Sequence, residues 1–185
     1  MQIIPQAIPE VLLLVPRVHG DMRGFFVETA RQSVLRDAGI PDLVQHNQSR
    51  SRQGVLRGLH YQLEQTQGKL VRCARGSVFD VAVDVRRSSP TFGQAVGAVL
   101  DDEQHHQLWV PPGFAHGFLV LSEVADFCYL CSDYYHPQSE QGIAWNDPDL
   151  SVDWPALPEG VEIQLSVKDQ ANPRLRDQVP ELLFP

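Results

Sequence analysis

Lysine is almost missing from this chain. Among 185 residues only Lys69 and Lys168 carry an ammonium group, and arginine supplies the rest of the 15 basic side chains, against 23 carboxylates. A net charge of −8 argues against a nucleic-acid partner, because a phosphate backbone demands a broad basic face. Any anionic ligand must therefore meet a local cluster of cations. Cysteine is scarce as well. Cys73, Cys128 and Cys131 are an odd number in stretches that read as strand, which suits a reducing compartment better than a disulfide framework. Cys128 and Cys131 form a CxxC string, yet positions three apart on an extended strand point to opposite faces, so they read as small buried residues rather than a metal pair. Long apolar runs are also lacking. The stretch Val11 to Val15 falls far short of the about 20 residues that cross a bilayer, and no basic segment precedes it, so no membrane partner and a soluble cytoplasmic protein are expected. Without repeats or long linkers, the chain is expected to form a single domain over residues 1–185.

What the sequence does have is alternation. Phe79, Val81, Val83 and Val85 share one face of a predicted strand and Asp80, Ala82, Asp84 and Arg86 the other, a face that reads as too charged for core. Phe114, His116, Phe118 and Val120 lie opposite Ala115, Gly117, Leu119 and Leu121, and Phe127, Tyr129 and Cys131 share a third face. Turn signals at Gly76, Ser89-Pro90, Pro111-Pro112-Gly113 and Asn146-Asp147-Pro148 separate these runs. Many short strands with regular turns predict a mainly β antiparallel jelly-roll barrel. One short helix is expected from Arg31 to Ala38, ended by Gly39, with the tail from Pro155 wrapping the barrel as strand and short helical turns.

The run GVLRGLHYQ, Gly54 to Gln62, followed from Lys69 by KLVRC, is as apolar as a core strand and yet carries charge. Arg57, Lys69 and Arg72, with His60, therefore imply a lined pocket rather than a filled interior. Gly54 precedes His60 by the spacing of the first cupin motif, and Pro111, Gly113 and His116 reproduce the PxGxxH of the second. The metal-binding version needs HxH where this chain has His60-Tyr61-Gln62. A metal-dependent oxygenase would have to rely on His60, Gln62, Glu64 and His116, a donor set one imidazole short.

In chain order the sequence offers DMRGFFVE (Asp21 to Glu28), QHNQSRS (Gln45 to Ser51), GVLRGLHYQ, a long match from Gly68 to Gly93, QLWVPPGFAHGF (Gln107 to Phe118), YLCSDYYHPQSEQGIAWNDP (Tyr129 to Pro148) and LSVKD (Leu165 to Asp169). This set resembles the dTDP-4-dehydrorhamnose 3,5-epimerases of deoxysugar biosynthesis. Leu130 departs from a position where relatives often carry lysine. The resemblance implies a cofactor-independent, metal-free, homodimeric cupin-like isomerase acting on a dTDP-sugar whose C4 ketone acidifies C3 and C5. It implies His60 as base, paired with Asp169, Tyr129 as acid on the far face, and Lys69 as the enolate-stabilising cation, with Asp80 neutralising or positioning Lys69. It also implies that Arg57, Arg23 and Lys168 supply the positive field for the diphosphate. Arg23, Phe26 and Glu28 would meet the nucleotide, from a neighbouring subunit, Gln45, Asn47, His116 and Glu140 would complete the site, and Tyr135 would stack on thymine. Three alternatives remain open at this point: an enzyme inverting only C3 or only C5, the metal-dependent oxygenase, and a non-catalytic sugar-nucleotide binder.

Overall fold

The computed structural model describes residues 1–150 and 152–185. The alternating stretches become thirteen strands among the described residues: β1 (Gln2–Pro5), β2 (Leu12–Val15), β3 (Val18–Asp21), β4 (Gly24–Val27), β5 (Gln45–Arg52), β6 (Leu56–Gln62), β7 (Lys69–Arg75), β8 (Ser77–Asp84), β9 (Ala95–Asp101), β10 (Gln107–Val110), β11 (Phe114–Val120), β12 (Val124–Cys131) and β13 (Glu140–Gly142). One sheet runs β1-β2-β10-β7-β12-β5 and a second runs β13-β6-β11-β8-β9, with every pair antiparallel. Strands β3 and β4 form a separate two-stranded hairpin. This is the expected jelly roll: two facing sheets with apolar side chains between them.

The space between the sheets is filled at one end by Val71, Val78, Leu108, Phe118 and Phe127 and their buried neighbours. The outer face of the second sheet, with Leu59, Val81, Val83 and Ala115, is covered by Ile143, Leu150, Leu175 and Leu183 of the C-terminal half. Helix α1 (Gln32–Asp37) covers part of the other sheet's outer face, packing Leu35 against Leu14, Leu70 and Trp109. The predicted helix is thus present, one residue shorter at each end.

Three expectations need correction. The charged face of β8 is core after all: Asp80, Ala82 and Asp84 are fully buried because that face lies between the sheets, while Val81 and Val83 are buried under the C-terminal tail. A buried carboxylate needs partners, and Asp84 has Arg86 at 2.7 Å, Ser89 at 2.5 Å and Thr91 at 2.6 Å. Burial pushes the Asp84 carboxyl up, but these donors outweigh it and hold it at about 2. The tail forms α2 (Val167–Gln170) and short 3-10 turns, and contributes only isolated bridges, Val55 with Gln164 and Arg86 with Phe184, rather than a strand. Finally, Arg72 sits one residue out of phase with Lys69 and Val71 on β7. It therefore faces away from the interior and takes no part in the pocket.

Candidate active site

A cavity of about 670 Å³ opens between the sheets on the side of β5, β6, β7 and β12. Its location follows from the sequence of those strands. Gln45, Asn47, Ser49 and Ser51 occupy the inward phase of edge strand β5, giving a polar wall where an apolar alternation would have closed the barrel. Arg57 and His60 are three apart, so strict alternation would separate them. The β6–β11 register slips there, with His116 opposite His60 but Phe118 opposite Arg57, which adds one residue to β6 and turns both side chains into the cavity. Gly58 and Gly117 allow it. Gly58 has φ +122°, and a Cβ on it would stand 2.6 Å from the Gly117 backbone.

His60 Nε2 lies 2.5 Å from Asp169 Oδ1. Asp169 rides on α2, where its backbone N–H donates to the N-cap Ser166 Oγ at 3.1 Å. Burial pushes the Asp169 carboxyl up, but hydrogen bonds from His60 and Ser166, with the Gly58 N–H, win and hold it below the usual carboxylate range. It stays ionised, so His60 Nε2 donates and the other ring nitrogen keeps a lone pair. Tyr129 and Lys69 both line the cavity, on β12 and β7. Burial pushes the Tyr129 phenol up, reinforced by Cys131 and Glu140 and opposed by Arg57, so it keeps its proton at neutral pH. Burial also pulls Lys69 down, with the fields of Cys131, Glu140 and Asp80 acting the other way. Lys69 makes no salt bridge among the described residues. Asp80 does not pair with it as expected; its Oδ2 lies 2.8 Å from His116 Nε2 instead.

The cavity mouth holds a second network. Glu140 accepts hydrogen bonds from Tyr135 Oη at 2.8 Å and from Lys168. Burial raises the Glu140 carboxyl, but Lys168, Tyr135 and the field of His60 bring it below its usual range. Gln45 receives the Tyr135 N–H and donates to Asn47, fixing the wall beside it. Of the predicted residues, His60, Lys69, Tyr129, Asp169, Gln45, Asn47, Arg57, His116, Tyr135, Glu140 and Lys168 therefore converge on one cavity, with Asp80 directly behind His116. Arg23, Phe26 and Glu28 do not. They lie on or just after the β3–β4 hairpin, away from the cavity, where Arg23 pairs with Asp21 and Glu28 with Arg31.

Two positioning residues escaped the sequence reading. Ser51 accepts from Arg57 Nε and Nη2 at 3.2 and 3.1 Å, and its phase with Gln45 and Asn47 is the signal that could have found it. Gln62 donates to the Gln65 and Tyr134 carbonyls and accepts from the His136 N–H, clamping the loop that carries Tyr135. That clamp also bears on the metal alternative. Gln62 is spent on backbone, Glu64 is 78% exposed, and His60 and His116 are each committed to a carboxylate. Among the described residues no three His, Cys, Asp or Glu side chains converge as metal ligands do.

A family model described as dTDP-4-dehydrorhamnose 3,5-epimerase matches residues 5–177. The chain belongs to that family. The dTDP-4-dehydrorhamnose 3,5-epimerase of Pseudomonas aeruginosa is 59% identical over 151 residues, 80% of this chain and 83% of that one. The enzyme of the same name from Salmonella typhimurium is 53% identical over 180 residues, covering 95% and 96%. Among solved structures, a dTDP-6-deoxy-D-glucose-3,5-epimerase from Legionella pneumophila Philadelphia 1, in complex with dTDP-4-keto-L-rhamnose, superposes with a TM-score of 0.95 at 53% identity, over 99% of this chain and 97% of that one. The chain is accordingly an epimerase of this family.

Proposed function

We propose that this epimerase converts dTDP-4-dehydro-6-deoxy-D-glucose to dTDP-4-dehydro-L-rhamnose by inverting C3 and C5. The carrying observation is the His60–Asp169 pair in the same cavity as Tyr129 and Lys69. The C4 ketone makes the neighbouring C–H groups acidic through an enolate, so chemistry there needs a base, an acid on the opposite ring face and a cation at the ketone oxygen. His60 takes the proton from carbon through its free ring nitrogen while Asp169 stabilises the imidazolium that forms. Lys69 balances the negative charge on the enolate oxygen. Tyr129 returns a proton to the other face, and exchange with solvent restores the phenol proton and carries away the one held by His60. Arg57 and Lys168 hold the diphosphate, and Tyr135 stacks on the base.

The experiment is incubation in deuterated water with the 4-keto sugar nucleotide, locating deuterium by NMR. Label at both C3 and C5 with inverted configuration is expected, and label at one centre alone would establish the single-centre alternative instead. Tyr129→Phe is expected to keep exchange at these carbons while slowing net inversion at least tenfold, because deprotonation survives and delivery to the far face does not. Equal loss of exchange and inversion would reduce Tyr129 to a shaper of the pocket.

The same reading takes the enzyme as a cytoplasmic homodimer whose β3–β4 hairpin reaches the partner's cavity with Arg23, Phe26 and Glu28. Two facts support it. The hairpin leaves Met22 and Phe26 largely bare, the latter 69% exposed, and a lone two-stranded ribbon is marginal in water without cover. The three cysteines are unpaired, and no helix among the described residues is long and apolar enough to cross a membrane. Sedimentation should give a dimer at micromolar concentration, and Arg23→Met should weaken dTDP binding about tenfold without changing that state. A monomer with full affinity for dTDP would end this part of the proposal.

A further inference from the structure

The proton-transfer scheme leaves Asp80 without a task, although a carboxylate that is fully buried is costly to keep. Its Oδ2 lies 2.8 Å from His116 Nε2, and its Oδ1 has no hydrogen-bond partner among the described residues. The His116 ring is also fixed in plane. Phe127 stacks on it with centroids 6.0 Å apart and planes 15° apart, and Phe118 backs Phe127 at 4.0 Å. His116 lines the cavity, whereas Asp80 stands behind it. A carboxylate can only accept, so Nε2 must carry a proton, and in the neutral ring Nδ1 is then left with its lone pair. No group among the described residues donates to that nitrogen.

We propose that Asp80 is a positioning residue that fixes His116 as its Nε2–H tautomer, so that Nδ1 accepts a hydrogen bond from a ring hydroxyl of the keto-sugar and makes the site select against deoxygenated sugars. This rests on the substrate class proposed above and adds what reads it. Across the β6–β11 register His116 stands opposite His60, so two histidine–carboxylate pairs sit side by side with the same tautomer. His60 is the more open of the two and is free to approach a C–H bond. His116 is 7% exposed and clamped by Phe127, the condition of a group that recognises rather than moves. Sites built to hydrogen-bond a substrate hydroxyl reject the analogue lacking it by up to about 10⁴- to 10⁵-fold, because the partner is left unpaired.

The test combines histidine ring ¹⁵N NMR with deuterium exchange at C5 of the parent 4-keto sugar nucleotide and of its 2-deoxy and 3-deoxy analogues, all of which keep C5. In the resting wild-type enzyme at pH 8 the His116 ring should show the Nε2–H signature, and one of the two analogues should exchange at least about 10²-fold more slowly than the parent. Asp80→Asn can turn its carbonyl oxygen to His116, since no protein donor holds the other position, so tautomer and discrimination should survive and activity should stay within about fivefold. Asp80→Leu removes the acceptor. It should mix the tautomers and cut the discrimination below about tenfold through loss on the parent sugar, with dTDP affinity and thermal unfolding reporting that the fold is intact. An Nδ1–H or doubly protonated ring in the wild type, equal exchange of all three sugars, or a folded Asp80→Leu enzyme with unchanged discrimination would overturn the proposal. If Asp80→Leu fails to fold, the wild-type and Asp80→Asn measurements still decide. If the wild type exchanges none of the sugars, the proposed function fails, while the tautomer of the resting enzyme still reports on Asp80.

Discussion

Replacing His60 with alanine is expected to abolish deuterium incorporation at both C3 and C5 while leaving dTDP binding within a few-fold of wild type. The expectation comes from geometry. Two histidines at the cavity wall pair a free ring nitrogen with a buried carboxylate, and His60 is the more open of them, its side chain 24% exposed against 8% for His116, with Asp169 2.5 Å away to stabilise its protonated form. Positioned acid–base groups contribute about 10²- to 10⁴-fold, so a loss of exchange below tenfold would remove His60 from the role of base. Asp169→Asn should weaken the same step, because an amide can present its NH₂ to Nε2 and turn the lone pair away from the substrate. Asp169 also has a pH consequence. Its folded-state carboxyl is held below the ordinary range, so the stability it contributes is present above its unfolded value and is lost as pH falls through the folded one.

Much of this site could be read from the chain because charge inside apolar runs is rarely accidental. Arg57, His60 and Lys69 stood out against GVLRGLHYQ and KLVRC, and all three line the cavity. Arg72 stands out equally, yet alternation puts it on the opposite face from Lys69, away from the cavity. The Arg57–His60 pair shows the converse: only a bulge at Gly58 brings them to one side, and nothing in the local pattern announces it. Asp80 failed differently. Its strand face reads as too charged for core, but both faces of β8 are covered, one by the facing sheet and one by the C-terminal tail, and the covering depends on contacts far apart in sequence. Partners for buried carboxylates are set by that same long-range packing, so Asp80 finding His116 rather than Lys69 lay beyond reach of the sequence. The hairpin is the remaining gap: it lies away from the cavity with Met22, Phe25 and Phe26 exposed, and nothing in its local alternation says where those side chains sit.

Lys69→Met should lower turnover by about 10²-fold or more with little change in substrate affinity, by the measure of losing one oxyanion donor from a preorganised site. Lys69 suits that role better than phosphate binding. It is half-buried at the start of β7, without a salt bridge among the described residues, and its burial already disfavours the ammonium, so a developing enolate oxygen gives the charge the partner it lacks. Arg57 is the internal contrast. Its guanidinium is anchored by Ser51 and fans into the cavity as a planar donor, the form suited to a diphosphate oxygen present equally in substrate and transition state. Uniform binding of that kind shows in the apparent binding constant, so Arg57→Met should raise it by roughly tenfold while turnover falls much less. Saturation kinetics with the keto-sugar nucleotide, alongside equilibrium binding of dTDP alone, separates the two. Should Lys69→Met recover full turnover at saturating substrate, with Arg57→Met failing to do so, the roles are exchanged and the enolate cation is Arg57.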